Sequence, residues 1–326
     1  MKLNKNQAAI VALFAVVLIS YSNAFQNEFA WDDEFFIVEN IHIMDMENIP
    51  EFFTEPSPGF LYRPMRSVFY TLNYQIWQLN TFGYHLNSLL LHFFATVIVF
   101  FIALKISDKK WFSFAVALFF AAHPVHTERI TNMTAAFDVF GILFLLSAFL
   151  FYILYSQKNK KNYYFLSILF YLLAIFSTGE AVTLILILLL YDFSFNYKIN
   201  FENVKLLLKK YIPYIAITIF YLIIRFSVVG QIGREKLYFN QSFFGTLLTT
   251  VKVFVEYIII LFVPVNLTIE RVVKFETSVF GLEFLASFLI LIAIFYFFIR
   301  SYKKSRIVFF SIGWFFITLL PFSNLV

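Results

Sequence analysis

The sequence predicts an all-α, polytopic transmembrane protein, a helical bundle of about nine to ten spans with a long first outer loop. Three observations predict it. The chain of 326 residues is 61% hydrophobic and 22% aromatic, more apolar surface than a soluble core of that length can hide. Its apolar runs recur near the length that crosses a bilayer. Its charges gather in the connections between those runs. A β-barrel would show alternating segments of about ten residues instead, and the sequence does not have that pattern.

Taken in order, the spans read as 8–23, 83–104, 111–123, 134–155, 162–178, 181–195, 211–229, 245–263, 280–299 and 307–322. The first is short and follows Lys2 and Lys5, as a signal peptide would; we read it as an uncleaved first helix. Four connections are basic: Lys105, Lys109 and Lys110; Lys158, Lys160 and Lys161; Lys198, Lys205, Lys209 and Lys210; and Arg300, Lys303, Lys304 and Arg306. With Lys2 and Lys5 they hold sixteen of the 25 basic residues, which sets them on the cytoplasmic side. Between Ala24 and Tyr62 the first loop, 24–65, has nine acids and no Lys or Arg, so it belongs on the outer face. Its fragments "NIPEFF" and "TEPSPGFLYRP" place turn residues between apolar pairs, which predicts short helices lying on the membrane surface.

One segment breaks the alternation. If 245–263 crosses fully, Arg300 to Arg306 end up outside, against the charge rule. The segment therefore reads as a re-entrant or interfacial helix on the outer side, with an ordinary span carrying a Lys252–Glu256 pair as the alternative. No soluble domain, repeat or low-complexity tract interrupts the chain, and 1–326 reads as one membrane domain.

Composition excludes several functions. Without cysteine there is no disulfide, thiolate nucleophile or Cys-ligated metal. The net charge of +5 follows from the cytoplasmic loops and requires no nucleic acid. The abundance of Phe, Ile, Lys and Asn fits an AT-rich microbial genome, hence a bacterial or archaeal cytoplasmic membrane, or the endoplasmic reticulum membrane if the source is eukaryotic.

Polar groups near spans are the default functional candidates, and most gather on one side. Asp32 and Asp33 lie in "FAWDDEFF". Tyr62 and Arg63 close the first loop in "YRP". His123, His126, Glu128 and Arg129 fall in "HPVHTER" at the outer end of the third span. Asp138 is about one turn into the fourth, Glu180 in "STGEA" joins two spans, and Arg225 lies near the outer end of its helix. A carboxylate can take a proton from an attacking hydroxyl, and an Arg can hold a phosphate by paired, charge-assisted hydrogen bonds. A base and a phosphate clamp at a membrane surface point to group transfer from a polyprenyl-phosphate-linked sugar donor to an outside hydroxyl on a protein or glycan. Against this, adjacent acids in a loop are usually only solvated. His123, His126 and Glu128 have near metal-ligand spacing, but Pro124 and the missing third ligand argue against zinc. No cofactor is called for, although a divalent metal stays open. His92, on one helix face with His85 and Ser88, reads as an interhelical hydrogen-bonder, and Asp192 as an interfacial anchor. The sequon Asn132-Met133-Thr134 lies at a span edge and carries no argument.

The segments "FAWDDEFFIVEN", "YRPMRSVFYTLNYQIWQLNTFGYHLNSLLLH", "FFAAHPVHTERITNMTAAFDVFGILFLLSAFLFY", "EAVTLILILLLYDF" and "SIGWFFITLLPFSNL" together resemble the membrane portion of the transmembrane and tetratricopeptide-repeat-containing O-mannosyltransferases. The resemblance covers most of 25–326 and is most specific from Tyr62 to His92 and at "HPVHTE". It implies a C-type (GT-C) glycosyltransferase fold and an inverting transfer of mannose, with Asp32 or Asp33 as the base and Arg63, Arg129 and Arg225 as candidates for the leaving phosphate. Tyr62, His123, His126, Glu128, Asp138 and Glu180 would support them. Two departures stand out. Relatives often carry Ser-Lys-Glu where this chain has Ser177-Thr178-Gly179-Glu180; if that Lys helps bind the donor phosphate, another residue must replace it. Relatives also continue past "SNL" into further spans and helical repeats, which leaves a truncated, non-catalytic remnant as one alternative. A transporter or flippase of a lipid-linked substrate is the other.

Overall fold

The computed structural model describes residues 4–59, 61–197, 201–230, 242–269 and 271–323; Lys2 and Lys198 of the basic clusters fall outside them. The described residues form helices and turns, without a strand. In chain order these are α1 (Lys5–Tyr21), α2 (Pro64–Trp77), α3 (Thr81–Ser107), α4 (Lys110–Ala122), α5 (Thr127–Thr131), α6 (Met133–Lys158), α7 (Lys161–Ser177), α8 (Leu184–Tyr191), α9 (Phe201–Val229), α10 (Phe243–Phe262), α11 (Leu282–Lys304) and α12 (Arg306–Leu319). Among the described residues, seven helical segments are long and apolar enough to cross a membrane. The chain is thus an all-α, multi-pass membrane protein. Helices α4, α7 and the α12 segment are apolar but shorter.

Local chemistry sets the helix ends. Asn4 and Gln7 form a reciprocal capping box on α1, with Gln7 N–H on Asn4 Oδ1 at 2.9 Å and Asn4 N–H on Gln7 Oε1 at 2.9 Å. Pro64 opens α2, where its missing N–H costs nothing. Asp108 and Asn159 close α3 and α6 in left-handed backbone, φ 55° and 51°, a conformation that short polar side chains tolerate. The first loop carries short turns of helix at Ser22–Gln26, Glu34–Val38, Ile41–Met44, Met46–Asn48 and Glu51–Phe53; the last two fall at "NIPEFF", where one was expected, whereas the described residues of "TEPSPGFLYRP" before Pro64 form none. The amphipathic α2 after it was not expected. Its face bearing Ser67, Tyr70, Thr71 and Asn73 is buried, whereas Leu72 and Ile76 are exposed.

The chain divides into two compact units. One holds the residues up to Leu184 and the part of α9 from Tyr211. Here α6 and α7 pack along their length, α3 packs on α4 and α6, and α1 lies against α3 and α4. Polar side chains inside this unit bond locally, because lipid offers no alternative partner. His92 Nε2 sits 3.1 Å from the Ala121 carbonyl, and the Tyr21 hydroxyl donates to the His123 carbonyl at 3.0 Å. The first contact is the interhelical bond expected of His92. Tyr214 donates to Ser167 Oγ at 2.7 Å, and Ser167 Oγ to the Ala148 carbonyl at 2.6 Å, which ties α9, α7 and α6 together.

The other unit holds 185–210 and the described residues from Ser242 on. Asp192 is fully buried and pairs with Lys210 at 3.3 Å. A carboxylate buried this deeply requires such a cation. The Lys252–Glu256 pair does not form. Lys252 Nζ reaches Glu283 at 2.7 Å and Glu276 at 3.6 Å, while Glu256 takes Arg271 at 3.0 Å. These partners reveal the path of the chain. After Phe262 the described residues run back along α10 outside any helix, so that Phe275 lies against Gly245, where a Cβ would come within 2.2 Å of its ring. Helix α11 therefore starts beside the middle of α10, and Thr250 meets the Ser323 carbonyl beyond α12 at 3.1 Å. Helix α10 is itself long and apolar enough to cross.

The cysteine-free chain permits single-cysteine labelling. An impermeant maleimide is expected to label Asp45→Cys and Ser278→Cys from outside intact cells, and Lys304→Cys only after lysis. Labelling of Ser278→Cys from the inner side alone would make α10 a full crossing. Separately, Gly83→Ala puts a Cβ about 2.0 Å from the Trp77 ring and is expected to destabilise the protein by roughly 1–3 kcal/mol in a detergent melt.

Candidate active site

The pair Asp32–Asp33 is split by a tight turn. Trp31 takes φ 56°, a left-handed backbone that costs a non-glycine residue about 1–2 kcal/mol. Asp33 turns inward and is buried. Its Oδ1 accepts the Thr134 N–H at 2.8 Å and the Thr134 hydroxyl, and its Oδ2 accepts the Ala30 N–H at 3.1 Å. It thus caps α6, where the N-terminal dipole favours a carboxylate. Asn132 of the sequon caps the same helix through Ala135 N–H at 2.8 Å. Asp32 turns outward and is exposed, with no hydrogen-bond or ion-pair partner among the described residues.

One helical turn into α6 sits Asp138. Arg63 Nη1 meets its Oδ1 at 3.0 Å, Arg66 Nη1 lies 3.6 Å from the same oxygen, and Arg129 Nη1 takes Oδ2 at 2.5 Å. Arg63 also reaches Glu180 Oε1 at 3.4 Å, and Glu180 accepts the Thr178 hydroxyl. The sequence reading missed Arg66. The signal was its place three residues after Arg63, which puts both at the first turn of one helix. Arg66 Nε donates to the Tyr70 hydroxyl at 2.9 Å, and its guanidinium lies 5.2 Å from the Phe36 ring centre. Burial works to lower its pKa, but Tyr70, Asp138 and Asp32 outweigh that and hold it above the usual arginine value. Arg66 therefore stays charged, with Asp32 within electrostatic reach.

Arg225 completes the cationic set. It is buried, its Nη1 lies 3.4 Å from the Tyr221 hydroxyl, and its Nε is without a partner among the described residues. The same Nη1 lies 3.9 Å from where a Cβ on Gly179 would be, so this guanidinium sits next to the turn carrying Glu180. Three guanidiniums on two carboxylates, with a fourth close by, leave an excess of positive charge. A buried arginine without a carboxylate is costly, and an anionic ligand would relieve it. Arg63 and Arg66 also line a cavity under the first loop, with Phe36, Asn40, Ser57, Leu61, Ser67 and Tyr70 among its other walls.

The remaining candidates make no ion pair with that cluster among the described residues. Tyr62 is buried and its hydroxyl donates to the Phe53 carbonyl at 2.9 Å; burial, then the neighbouring Tyr221, pushes its pKa up to about 12. Its own carbonyl accepts the Tyr221 hydroxyl at 3.1 Å. His123 Nδ1 accepts the Val125 N–H at 3.2 Å. His126 lies against Phe120 and His92. Glu128 is exposed. Among the described residues no group of three or more His, Asp and Glu side chains is placed to hold a metal ion.

No protein-family model matches the chain. Curated proteins do. A protein O-mannosyl-transferase of Caenorhabditis elegans is 26% identical over 181 residues, 52% of this chain and 25% of that protein. Protein O-mannosyl-transferase TMTC2 of Homo sapiens is 32% identical over 149 residues, 43% of this chain and 18% of that protein. Protein O-mannosyl-transferase Tmtc1 of Drosophila melanogaster is 26% identical over 194 residues, 56% and 22% respectively. The resemblance read from the motifs is thus a similarity over about half the chain, which spans a quarter or less of these relatives' length.

Two outcomes test this geometry. Asp33→Ala removes three acceptor contacts at a buried cap and is expected to lower stability by roughly 2–3 kcal/mol, whereas Asp32→Ala leaves the melting temperature unchanged. Burial, with the His92 and His123 rings adding to it, lowers the pKa of His126 from 6.5 to about 3. The unfolded chain therefore takes up that proton first, and stability from the neutral ring is lost as pH falls from about 6.5 toward 3. Melting temperatures of wild type and His126→Asn are expected to converge on acidification through that window.

Proposed function

We propose that this chain is a membrane hexosyltransferase of the C type, which moves mannose from a polyprenyl-phosphate donor to a protein or glycan hydroxyl with inversion. The mannose and the protein acceptor come from the relatives' names. The observation that carries the donor is the surplus of guanidinium around Asp138 and Glu180, with an exposed, unpaired Asp32 within electrostatic reach of Arg66.

The step follows from these groups. Asp32 takes the proton from the acceptor hydroxyl as its oxygen attacks the anomeric carbon. The bond from that carbon to the phosphate oxygen breaks, and its electron pair leaves with the polyprenyl phosphate, which becomes a dianion. Arg63, Arg66, Arg129 and Arg225 stabilise that growing charge in a site where arginine needs no reorganisation to act. Attack and departure on opposite faces invert the centre, and the cationic character of the sugar favours a carboxylate nearby. Asp138 has both oxygens engaged by three guanidiniums; its task is to hold them. Asp33 is a positioning residue, tying the loop that bears Asp32 to the helix that bears Asp138. Arg225, beside Gly179, supplies a cation where the resemblance expects a Lys. The active face is the outer one, on the charge reading of the loops.

The test is transfer from radiolabelled polyprenyl-phosphate mannose by the purified chain. Asp32→Asn is expected to cut the rate roughly 100- to 10,000-fold while keeping its melting temperature and donor binding. Arg225→Gln is expected to raise the donor KM by about tenfold with a smaller effect on kcat. Wild-type protein that binds no polyprenyl phosphate would sink the proposal.

A further inference from the structure

A row of aromatic rings descends from the arginine cluster. Phe69 lies three residues after Arg66 on α2 and stacks on Phe140 of α6 with centroids 4.3 Å apart. Phe140 meets Phe144 edge-on at 4.5 Å. Phe144 touches Phe170 of α7 at 6.0 Å, and Phe170 stacks on Phe151 at 5.4 Å. All five rings are half-buried. They differ in this from Phe165 of α7, which is 66% exposed, and from Phe149 of α6, which is fully buried. Each ring of the ladder packs on at least one other and keeps part of its surface exposed.

We propose that this ladder is the berth of the donor's prenyl tail; the inference rests on the transferase reading above. Continuity with the charged site selects the occupant. A lipid whose phosphate enters the arginine cluster must lay its chain along whatever surface runs from there into the hydrocarbon, and the ladder is that surface, starting one turn from Arg66. Its length agrees. From Phe140 to Phe151 the helix rises roughly 16 Å, about half the ~30 Å hydrocarbon core, so the ladder serves one leaflet, where a donor with its head at the surface resides. The chemistry agrees as well. A prenyl chain carries repeated methyl branches and double bonds, and aromatic faces and edges hold such groups in a preferred orientation.

The test is photolabelling of the full chain in lipid nanodiscs with a benzophenone-bearing prenyl phosphate, followed by peptide mapping. Labelling is expected on 137–151 and 163–170 and is expected to be competed by unlabelled prenyl phosphate. A Phe144→Leu, Phe170→Leu double variant is expected to lose about tenfold in labelling at an unchanged melting temperature, whereas Phe165→Leu keeps it. Competable labelling on other helices overturns the berth and leaves the transferase reading standing. Labelling that unlabelled prenyl phosphate does not compete is contact with bulk lipid and also overturns it. No labelling together with no transfer brings down the parent reading and the berth with it.

Discussion

Asp138 is the point on which the described site depends. Its two oxygens take guanidiniums from the residue that caps α2, from the first turn of α2 and from α5. Arg63 then passes the connection to Glu180 at the turn before α8. In a setting of low dielectric each of these charges is expensive alone and acceptable together. The ion pairs therefore contribute more to which segments meet than to net stability. Asp33 makes the same kind of tie with a different acceptor set, joining the first loop to the N-terminus of α6. The bonds that fix the fold at this end of the bundle are the bonds that position the groups of the proposed site.

The surroundings supply a stiff support for that cluster. Buried hydroxyls of Ser88, Thr96 and Thr218 bond to carbonyls one turn back in their own helices, and the Tyr214–Ser167 pair links helices. With backbone and side chains satisfied internally, the helices can stand in lipid. Among the described residues, the Arg225 Nε is buried without a hydrogen-bond partner, as are Trp77 Nε1 and His85 Nδ1, and Asp32 is exposed without one. An attacking group and a leaving anion need those two properties, an accessible base and a waiting cation.

Much of this was legible in the sequence. The ten apolar runs all appear as helices, because nothing but a helix satisfies a twenty-residue apolar backbone in lipid. The convergence of Arg63, Arg129, Asp138 and Glu180 followed from charge and side. Helix α2 was not legible, since Pro64 to Trp77 mixes Arg, Asn and Gln with aromatics and has no long apolar run. Arg66 was missed with it. The partners of Lys252 were misread because a spacing of four on one helix suggested Glu256, whereas the returning chain brings Glu276 and Glu283 closer.

By itself the sequence determined what each segment is: which runs are helices, which loop is acidic, which side is basic. These are local properties of composition and period, and solvent imposes them on each segment separately. Only the tertiary structure decided how Asp32 and Asp33 divide their roles, since that depends on Thr134, a hundred residues away, offering two donors to one carboxylate and none to the other. The same holds for Arg63, whose partners lie 75 and 117 residues on. Pairings at such distance carry no signal in spacing, because they are set by which helices pack.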